Sequence, residues 1–308
     1  MILEWIIGRN IAKALGYRGD GAPQIRYFKG RDFGAENTSF SFLSGNNRLY
    51  GKRYFYGNGP YRGVMVFFHG IGAGHESYTQ EICAMAKQGF LVYAYDNTGS
   101  MMSEGKGIGN LAQVGLDQQA FFAFLDQEPL AQGLSRYAFG HSWGGFAALL
   151  ALQKQYHVVK VVSIAGFRSI PSIMEWASPA VKKLHRPLCR YLRRHYGEVG
   201  VVDATDLLNQ AEAEVLYIQG EKDTTCLTAE CLYHFQKHVT NPKVHFLEVK
   251  GRGHQPYWTD ASCAYYEEVF QKRKMAAVDR EAGYEIDYRR LNQDDPEIIK
   301  AIIDFFLR

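Results

Sequence analysis

One short stretch of the sequence sets a serine between two glycines, directly after an apolar run. Residues 137–149 read YAFGHSWGGFAAL, with Ser142 at the centre of Gly-His-Ser-Trp-Gly. A serine hydroxyl becomes a nucleophile only when a base removes its proton and a third group orients that base. The pentapeptide alone does not separate a nucleophile from a serine in a glycine-rich turn, so its partners must be sought elsewhere in the chain.

The residues on either side of the serine predict a strand, a sharp turn and a helix. The run RYAF ends just before Gly140, and the helical pattern FAALLALQKQY begins just after Gly145. Such a turn holds a serine in a strained conformation with its hydroxyl exposed above a sheet. Gly140 and Gly144 allow close approach of backbones where a Cβ would clash. This context predicts that Ser142 is a nucleophile.

An acid and a histidine come after the serine in the order that this arrangement requires. Asp223 lies in LYIQGEKDTT and His254 in VHFLEVKGRGHQPY, each just after a predicted strand. The carboxyl ends of parallel strands meet at one edge of a sheet, so we expect the two side chains to meet Ser142 there. His254 would act as the base, and Asp223 would orient it. Glu221 and Asp206 are alternative acids.

Two backbone N–H groups are expected to hold the oxyanion that such a nucleophile creates. One is that of Trp143, the residue after the serine, whose ring could also wall an acyl pocket. The second is expected from Ile71 in the loop HGIGAG, with Gly72 as the next candidate. We interpret His69 as a structural residue that braces this loop by hydrogen bonds.

Near-continuous apolar runs alternate with helical patterns from Val64 onward. Runs such as VMVFF, FLVYAY and EVLYIQG are typical of strands buried on both faces of a parallel sheet. The runs IRYF, SFSFLS and RLYGKRYFYG, between Ile25 and Tyr56, predict antiparallel strands and hairpins. The sequence therefore predicts an α/β fold with a mostly parallel central sheet, helices on both faces and antiparallel N-terminal strands. Beyond Thr259 it predicts helices.

The amino-acid composition argues against several classes of function. The 308 residues are 46% hydrophobic and carry a net charge of only +3, which gives no general case for nucleic-acid binding. Five cysteines without CxxC spacing argue against a disulfide framework and a zinc site, and favour a cytoplasmic location. The start MILEWIIGRNIAKALG predicts an amphipathic helix, packed on the domain or, as the less favoured alternative, on a membrane surface, and neither a signal peptide nor a spanning helix.

The motifs HGIGAG, GHSWGG, GEKD and GRGH together resemble the α/β-hydrolase superfamily, in particular its bacterial serine esterase, lipase and aminopeptidase-like branch. The segment YDNTGSMMSEG resembles that branch's Asp-x-x-Gly-x-Gly-x-Ser-x-Gly, with Met101 in place of the second glycine. The resemblance spans about residues 64–254. It implies an acyl-enzyme on Ser142 and no cofactor or metal.

The chain is expected to form one domain over residues 1–308, with an inserted helical cap at residues 167–210. Within that insertion, SPAVKKLHRPLCRYLRRHYG predicts a helix from Ser178 that Pro187 kinks or divides, with a basic face opposite an apolar one. The basic face is either simply solvated, or it attracts anionic substrates or a membrane surface. Five residues are predicted to contact the substrate: Gly70, Gly72, His141, Phe167 and Trp176.

The favoured function is hydrolysis of an ester or thioester of a small or medium acyl group. A serine peptidase of the aminopeptidase type is the first alternative, although the cap offers few carboxylates to hold a free α-amino group. A non-catalytic binding protein on the same fold is the second. The expected partner is a small acyl substrate, without nucleic acid or stable membrane insertion, and the oligomeric state is undefined by the sequence.

Overall fold

The computed structural model describes residues 6–7, 10, 15–21, 25–177, 179–276 and 286–308, and its centre is one eight-stranded sheet. The strands in chain order are β1 Glu36–Ser44, β2 Asn47–Phe55, β3 Gly63–Phe68, β4 Phe90–Tyr95, β5 Arg136–His141, β6 Val158–Ile164, β7 Glu214–Gly220 and β8 Val244–Val249. Their spatial order is β1-β2-β4-β3-β5-β6-β7-β8. Strands β3 to β8 run parallel, whereas β1 and β2 form a hairpin that joins β4 in antiparallel fashion.

The helices come after the strands as the alternating pattern predicts. They are α1 Thr79–Lys87, α2 Gln113–Leu125, α3 Trp143–Leu150, α4 Ile170–Ala177, α5 Pro179–Lys182, α6 His185–Tyr196, α7 Ala204–Gln210, α8 Leu232–His238, α9 Asp260–Ala276, α10 Tyr288–Leu291 and α11 Pro296–Leu307. The last begins as its sequence indicates, because the Asp295 side chain accepts a hydrogen bond from the N–H of Glu297 at 3.0 Å. The predicted fold class is confirmed.

The central strands β3 and β4 are buried along their whole length, because helices cover both faces of the sheet there. Successive residues of a strand point to opposite faces. In β3, Val66 and Phe68 join the core cluster that contains α2 and α3, whereas Met65 and Phe67 join the cluster under α1 and α11. The parallel direction of β3 to β8 brings the loops after these strands to one edge of the sheet.

Two sequence predictions for the N-terminal region have different outcomes. The strand predicted at Ile25–Phe28 is wrong: the segment is irregular, and Phe28 packs on Tyr288 at 4.8 Å between ring centroids. Aromatic packing on α10 replaces strand pairing there. The predicted amphipathic helix at the start of the chain falls largely outside the described residues, although Ile7 among them is buried.

Segment 167–210 is helical, with α4 to α7 between β6 and β7. The helix predicted around Pro187 is divided, one of the two outcomes expected of that proline: α5 and α6 are separated by Lys183 and Leu184. Pro187 lies in the first turn of α6, where its missing N–H has no partner to lose within the helix. Ser178, the predicted helix start, falls outside the described residues.

All five cysteines are free thiols. Across the part of the chain that the structure describes, no helix combines the length and the apolar character needed to span a bilayer.

Glu81 of α1 is buried, and half-buried Asp294, just before α11, is near enough for its charge to act on Glu81. Within the described part of the chain, neither carboxylate oxygen of Glu81 has a hydrogen-bond partner. Burial, and then the charge of Asp294, raise the pKa of Glu81, and burial raises the pKa of Asp294 to about 7. At these two carboxyl groups the folded chain therefore binds more protons than the unfolded chain does. The free energy of unfolding falls as pH rises from about 4, where the unfolded groups titrate, through the pKa of about 7 of Asp294.

We expect Glu81→Gln to weaken that pH dependence, because an amide removes the charge that would develop beside Asp294. Between about pH 5 and about pH 8 the melting temperature of the variant should fall less than that of the wild type, with an advantage of about 2–4 °C at the alkaline end. Glu230→Gln, at an exposed position, is the control. Parallel melting curves for Glu81→Gln and the wild type would contradict the assignment.

Candidate active site

Ser142 lies at the tight turn between β5 and α3, with φ 60° and ψ −119°. This conformation is rare for a residue with a side chain and costs free energy, so the surroundings must hold it. Gly144 makes the turn possible, because a Cβ there would overlap the carbonyl oxygen of Phe68 in β3. The N–H of Ser142 donates to the carbonyl of Ile164 at 2.8 Å, which ties the turn to β6.

The structure brings the three predicted side chains together. The Ser142 hydroxyl donates to Nε2 of His254 at 2.9 Å, and Nδ1–H of His254 donates to the two carboxylate oxygens of Asp223 at 3.0 and 3.1 Å. His254 lies after β8 and Asp223 after β7, at the same edge of the sheet as the turn after β5. The geometry is that of a nucleophile, a base and an acid that orients the base.

Asp223 is fixed as an anion. Its side chain is fully buried, and Oδ1 accepts hydrogen bonds from the N–H groups of Thr225 and Cys226 at 2.8 and 3.0 Å. Burial alone would raise the pKa of Asp223, but the bonds and charge of His254 and these two backbone donors outweigh it and lower the pKa. An ionised carboxylate at this position keeps the proton of His254 on Nδ1 and leaves Nε2 free to accept.

The alternative acids lie elsewhere. The Glu221 carboxylate accepts from the N–H of Gly251 at 2.9 Å and pairs with Lys250 at 3.3 Å. Asp206 lies in the first turn of α7. Within the described residues, only Asp223 is in contact with the ring of His254 through a carboxylate.

The loop after β3 lies against the serine. A Cβ added to Gly70 would meet the Cβ of Ser142 at 3.5 Å. His69 braces the loop, as expected from the sequence: its Nδ1–H donates to the carbonyl of Gly70 at 2.7 Å, and its Nε2 accepts from the N–H of Asn97 at 2.9 Å. Burial lowers the pKa of His69, in agreement with a neutral ring.

The N–H groups of Ile71 and Trp143 remain the predicted oxyanion donors. Ile71 belongs to the loop that lies on Ser142, and Trp143 is the first residue of α3, where N–H groups have no partner inside the helix. Gly72, with φ 100°, is the next residue after Ile71, and its carbonyl accepts from the N–H of Gly21 at 2.9 Å. The N-terminal segment thus helps to hold this loop.

A second chain of hydrogen bonds joins the three loops of the site through Tyr78 and His141. One ring nitrogen of His141, Nε2, lies 2.8 Å from the backbone carbonyl of His254, which can only accept, so Nε2 carries the proton. Burial, and then the charge of His254, lower the pKa of His141 to about 3, so the ring is neutral and Nδ1 is an acceptor. The hydroxyl of Tyr78 therefore donates to Nδ1 at 3.0 Å and accepts from the N–H of Gly70 at 3.1 Å.

The cavity at Ser142 has a volume of about 470 Å³. Its outer wall is formed by α9 and by the loops after β7 and β8. The lining residues that the triad and the oxyanion loop do not account for are mostly polar: Tyr78, His141, Lys222, Thr224, Thr225, Gly253, Gln255, Cys263, Tyr266 and Glu267. A cavity with this volume and lining suits a small molecule that carries polar groups.

Gly70 and His141 line the cavity, but four other predictions about the substrate pocket need correction, the first being Gly72, which does not line it. Phe167 is 3% exposed and stacks on Phe146 at 4.5 Å, so it belongs to the core and not to the pocket. Trp176 is partly exposed but does not line the cavity at Ser142. The ring of Trp143 is also in the core, where its Nε1–H donates to the carbonyl of Leu111 at 2.8 Å, so it is not a wall of the pocket.

None of the described residues that line this cavity comes from segment 167–210, and the capping role of that segment remains a prediction. The segment that does form the wall, α9, begins six residues after His254. This short separation in the sequence was the available signal for a wall formed by α9, because a helix that begins so soon after the histidine loop lies near the site. Tyr78 carried no such signal, because its role depends on contacts with distant residues.

Met101, where the resemblance leads one to expect a glycine, adopts φ 46°. A left-handed backbone is what glycine adopts without strain, so the position keeps the conformation although the residue differs. The rest of the segment YDNTGSMMSEG, residues 95–105, is held in place by hydrogen bonds. Asp96 accepts from the N–H and the Nδ1–H of His75 at 2.8 and 2.7 Å, and Ser103 donates to the carbonyl of Asp96 at 2.6 Å.

Comparison with known proteins agrees with this architecture. Residues 59–198 match the model of a hydrolase family described as serine aminopeptidase, S33. No curated protein sequence matches the chain significantly. An esterase of Pyrococcus furiosus is 18% identical with a TM-score of 0.58, and the alignment covers 86% of this chain and 98% of the esterase.

Two further solved structures have the same fold. An acylaminoacyl peptidase of Pyrococcus horikoshii is 22% identical with a TM-score of 0.55, over 71% of this chain and 37% of the peptidase. An α/β hydrolase from a Penicillium species is 16% identical with a TM-score of 0.52, over 81% of this chain and 99% of that protein. The mostly parallel eight-stranded sheet with its surrounding helices is thus the α/β-hydrolase fold that these solved structures share.

Proposed function

We propose that this protein is a serine hydrolase that cleaves an ester or thioester of a small or medium acyl group through an acyl-enzyme on Ser142. The observation that carries the proposal is the unbroken hydrogen-bond chain from Ser142 through His254 to Asp223, with the serine held in a strained turn. A non-catalytic binding protein would have no need of that chain or of that strain.

The mechanism is derived from the positions of these groups. Nε2 of His254 takes the hydroxyl proton as Ser142 Oγ attacks the carbonyl carbon, and the N–H groups of Ile71 and Trp143 hold the oxyanion. The protonated ring, stabilised by Asp223, then returns its proton to the leaving group. A water molecule then attacks the acyl-enzyme with His254 again as the base, and the carboxylic acid is released from Ser142.

One observation favours a second candidate, an aminopeptidase. Glu267 of α9 lines the cavity at Ser142, which supplies a carboxylate that could hold the free α-amino group of a substrate. Lys222 lies in the same wall and would oppose that positive charge. The ester proposal is therefore placed first, and both candidates share the same nucleophile.

Labelling and a substrate panel test the proposal. A fluorophosphonate should modify Ser142 and no other serine, and Ser135→Ala, at an exposed position, should label as the wild type does. Specificity constants should be compared for p-nitrophenyl esters from acetyl to dodecanoyl and for alanine p-nitroanilide with a free and with an acetylated amino group. We expect the shorter esters to be preferred.

The same panel separates the two candidates. A preference for the anilide with a free amino group, lost in Glu267→Gln while ester cleavage persists, would assign the aminopeptidase activity instead. Failure of the fluorophosphonate to react with Ser142 would contradict both.

The hydrogen-bond chain through Tyr78 gives a separate prediction. In Tyr78→Phe, Nδ1 of His141 and the N–H of Gly70 both lose their partner, so the loop that carries Ile71 is less well fixed relative to Ser142. We expect kcat for an ester to fall about 10- to 100-fold, because small displacements of an oxyanion donor carry such costs, with KM changed less than about threefold.

Tyr56→Phe is the matched control, since the hydroxyl of Tyr56 also bridges two segments distant in sequence. It donates to the backbone carbonyl of Phe33 at 2.7 Å, away from the site. This variant should leave kcat unchanged. A loss of thermal stability in Tyr78→Phe without a change in kcat would restrict Tyr78 to a structural role.

A further inference from the structure

The excess of positive over negative side chains in this protein comes from one helical segment. The whole chain has 35 Lys and Arg against 32 Asp and Glu. Six of these cations and none of the carboxylates fall within residues 176–197, so the remainder of the chain has a net charge of −3. The six, here called the basic surface, are Lys182, Lys183, Arg186, Arg190, Arg193 and Arg194.

The fold presents these side chains to solvent. All six are exposed, whereas Leu188 and Leu192 on the opposite side of α6 are fully buried in the main core. A helix advances 100° per residue, so the spacing of the four arginines, at i, i+4, i+7 and i+8, keeps them on one flank. The helix is thus anchored by its leucines and displays its cations outward.

The acids that flank the basic surface in the sequence are Glu175 and Glu198. Arg193 pairs with Glu198 at 2.8 Å, and Glu175 is bonded to Nδ1 of His185 at the start of α6. The four arginines, with His185 and Cys189, enclose a depression of about 540 Å³. A depression rimmed by guanidinium groups matches the charge and hydrogen-bonding pattern of a phosphate group.

The basic surface is not part of the candidate active site. The cavity at Ser142 is lined by residues from the loops after β3, β5, β7 and β8 and from α9, together with Tyr78, and none of the described residues of 167–210 joins them. A role in holding an anionic substrate against Ser142 therefore has no contact to support it. A ligand that recognises the basic surface therefore binds outside that cavity.

We propose that the basic surface docks the protein on an anionic membrane, with the phosphate-bearing head groups of the lipids against α6. Clusters of four to eight Lys and Arg on an amphipathic helix are characteristic of peripheral binding to acidic lipids. The remainder of the chain has a negative net charge, which disfavours a long polyanion that wraps around the protein. The same charge does not disfavour a planar membrane that contacts only the face with the basic surface.

A tryptophan beside the basic surface favours a lipid surface over a soluble polyanion. Trp176 is 39% exposed at the end of α4, and its neighbour Glu175 is tied to His185 of α6. Indole rings prefer the boundary between lipid head groups and acyl chains, where an apolar ring and a polar N–H are both accommodated. Docking here would be peripheral and electrostatic, and it does not depend on catalysis.

The test is sedimentation with vesicles, using the full chain. We expect binding to phosphatidylcholine vesicles containing about 30% phosphatidylserine, little binding to pure phosphatidylcholine, and release at about 1 M salt. The triple variant Arg186→Gln, Arg190→Gln and Arg194→Gln should bind at least about tenfold more weakly. The control triple Lys87→Gln, Lys106→Gln and Lys237→Gln removes the same charge from exposed positions elsewhere and should bind within about twofold of the wild type.

Trp176→Ser should weaken binding to the acidic vesicles several-fold, with its melting temperature measured to verify folding. Equal binding to neutral and acidic vesicles, or an equal loss in both triple variants, would overturn the proposal. So would tight binding of an oligonucleotide or of soluble polyphosphate with the vesicles ignored. Ser142→Ala should bind vesicles as the wild type does, so that loss of catalysis and loss of docking are separately visible.

Discussion

Ser142→Ala is expected to lower kcat for ester hydrolysis by about 10⁴- to 10⁶-fold, which is the size of effect seen when a serine nucleophile is deleted. The methyl group leaves Nε2 of His254 without a hydroxyl proton to accept, while Ile71, Trp143 and the cavity walls remain. Substrate affinity should therefore stay within about threefold, because only an interaction made in the transition state is lost. Steady-state kinetics and inhibition by the product acid measure the two quantities.

Labelling gives an independent check on the same variant. Alanine at this turn, where φ is 60°, has no hydroxyl to bond to His254 or to attack the reagent. The fluorophosphonate should therefore no longer label the variant. Ser135→Ala, exposed and away from the site, should behave as the wild type does. Retention of ester hydrolysis by Ser142→Ala would show that another group is the nucleophile.

Asp223→Asn is expected to lower kcat by about 10⁴-fold, as when an orienting acid is replaced by an amide. The amide can donate, so it favours the ring of His254 with its proton on Nε2, and this form cannot accept the Ser142 proton. Steady-state kinetics with a p-nitrophenyl ester at neutral pH measure this loss.

The rival acids supply the controls for that result. Glu221→Gln removes a carboxylate that is bonded to Gly251 and Lys250 close to the same loop, and Asp206→Asn removes one from α7. Both variants should retain kcat within about twofold, since neither group contacts His254. If Glu221→Gln were as inactive as Asp223→Asn, the assignment of the acid would be wrong.

The groups that could do chemistry were readable from the sequence because each is marked by local structure. Gly140 and Gly144 mark a turn in which a Cβ would clash, and Asp223 and His254 each come shortly after an apolar strand. Parallel strands bring the loops at their carboxyl ends to a common edge, so order along the chain became proximity in space. The same local rules predicted the sheet and most of its helices.

The local rules failed where packing partners are distant in sequence. Ile25–Phe28 has the composition of a strand, but its aromatic rings pack on Tyr288, which no short-range pattern indicates. Phe167 and Trp143 are candidate pocket walls by sequence because they lie near the catalytic motifs, yet their rings are in the core. An apolar side chain near a site is consistent with either place, and only its contacts decide.

The sequence by itself therefore determined the fold class and the three side chains Ser142, His254 and Asp223, since both depend on the period of the strands and the residues directly after them. The tertiary structure alone decided that α9, and none of the described residues of segment 167–210, walls the cavity, that Tyr78 and His141 link the three loops, and that the basic surface lies apart from the site. Those features depend on how helices distant in sequence pack over one edge of the sheet, and burial of whole surfaces governs that packing.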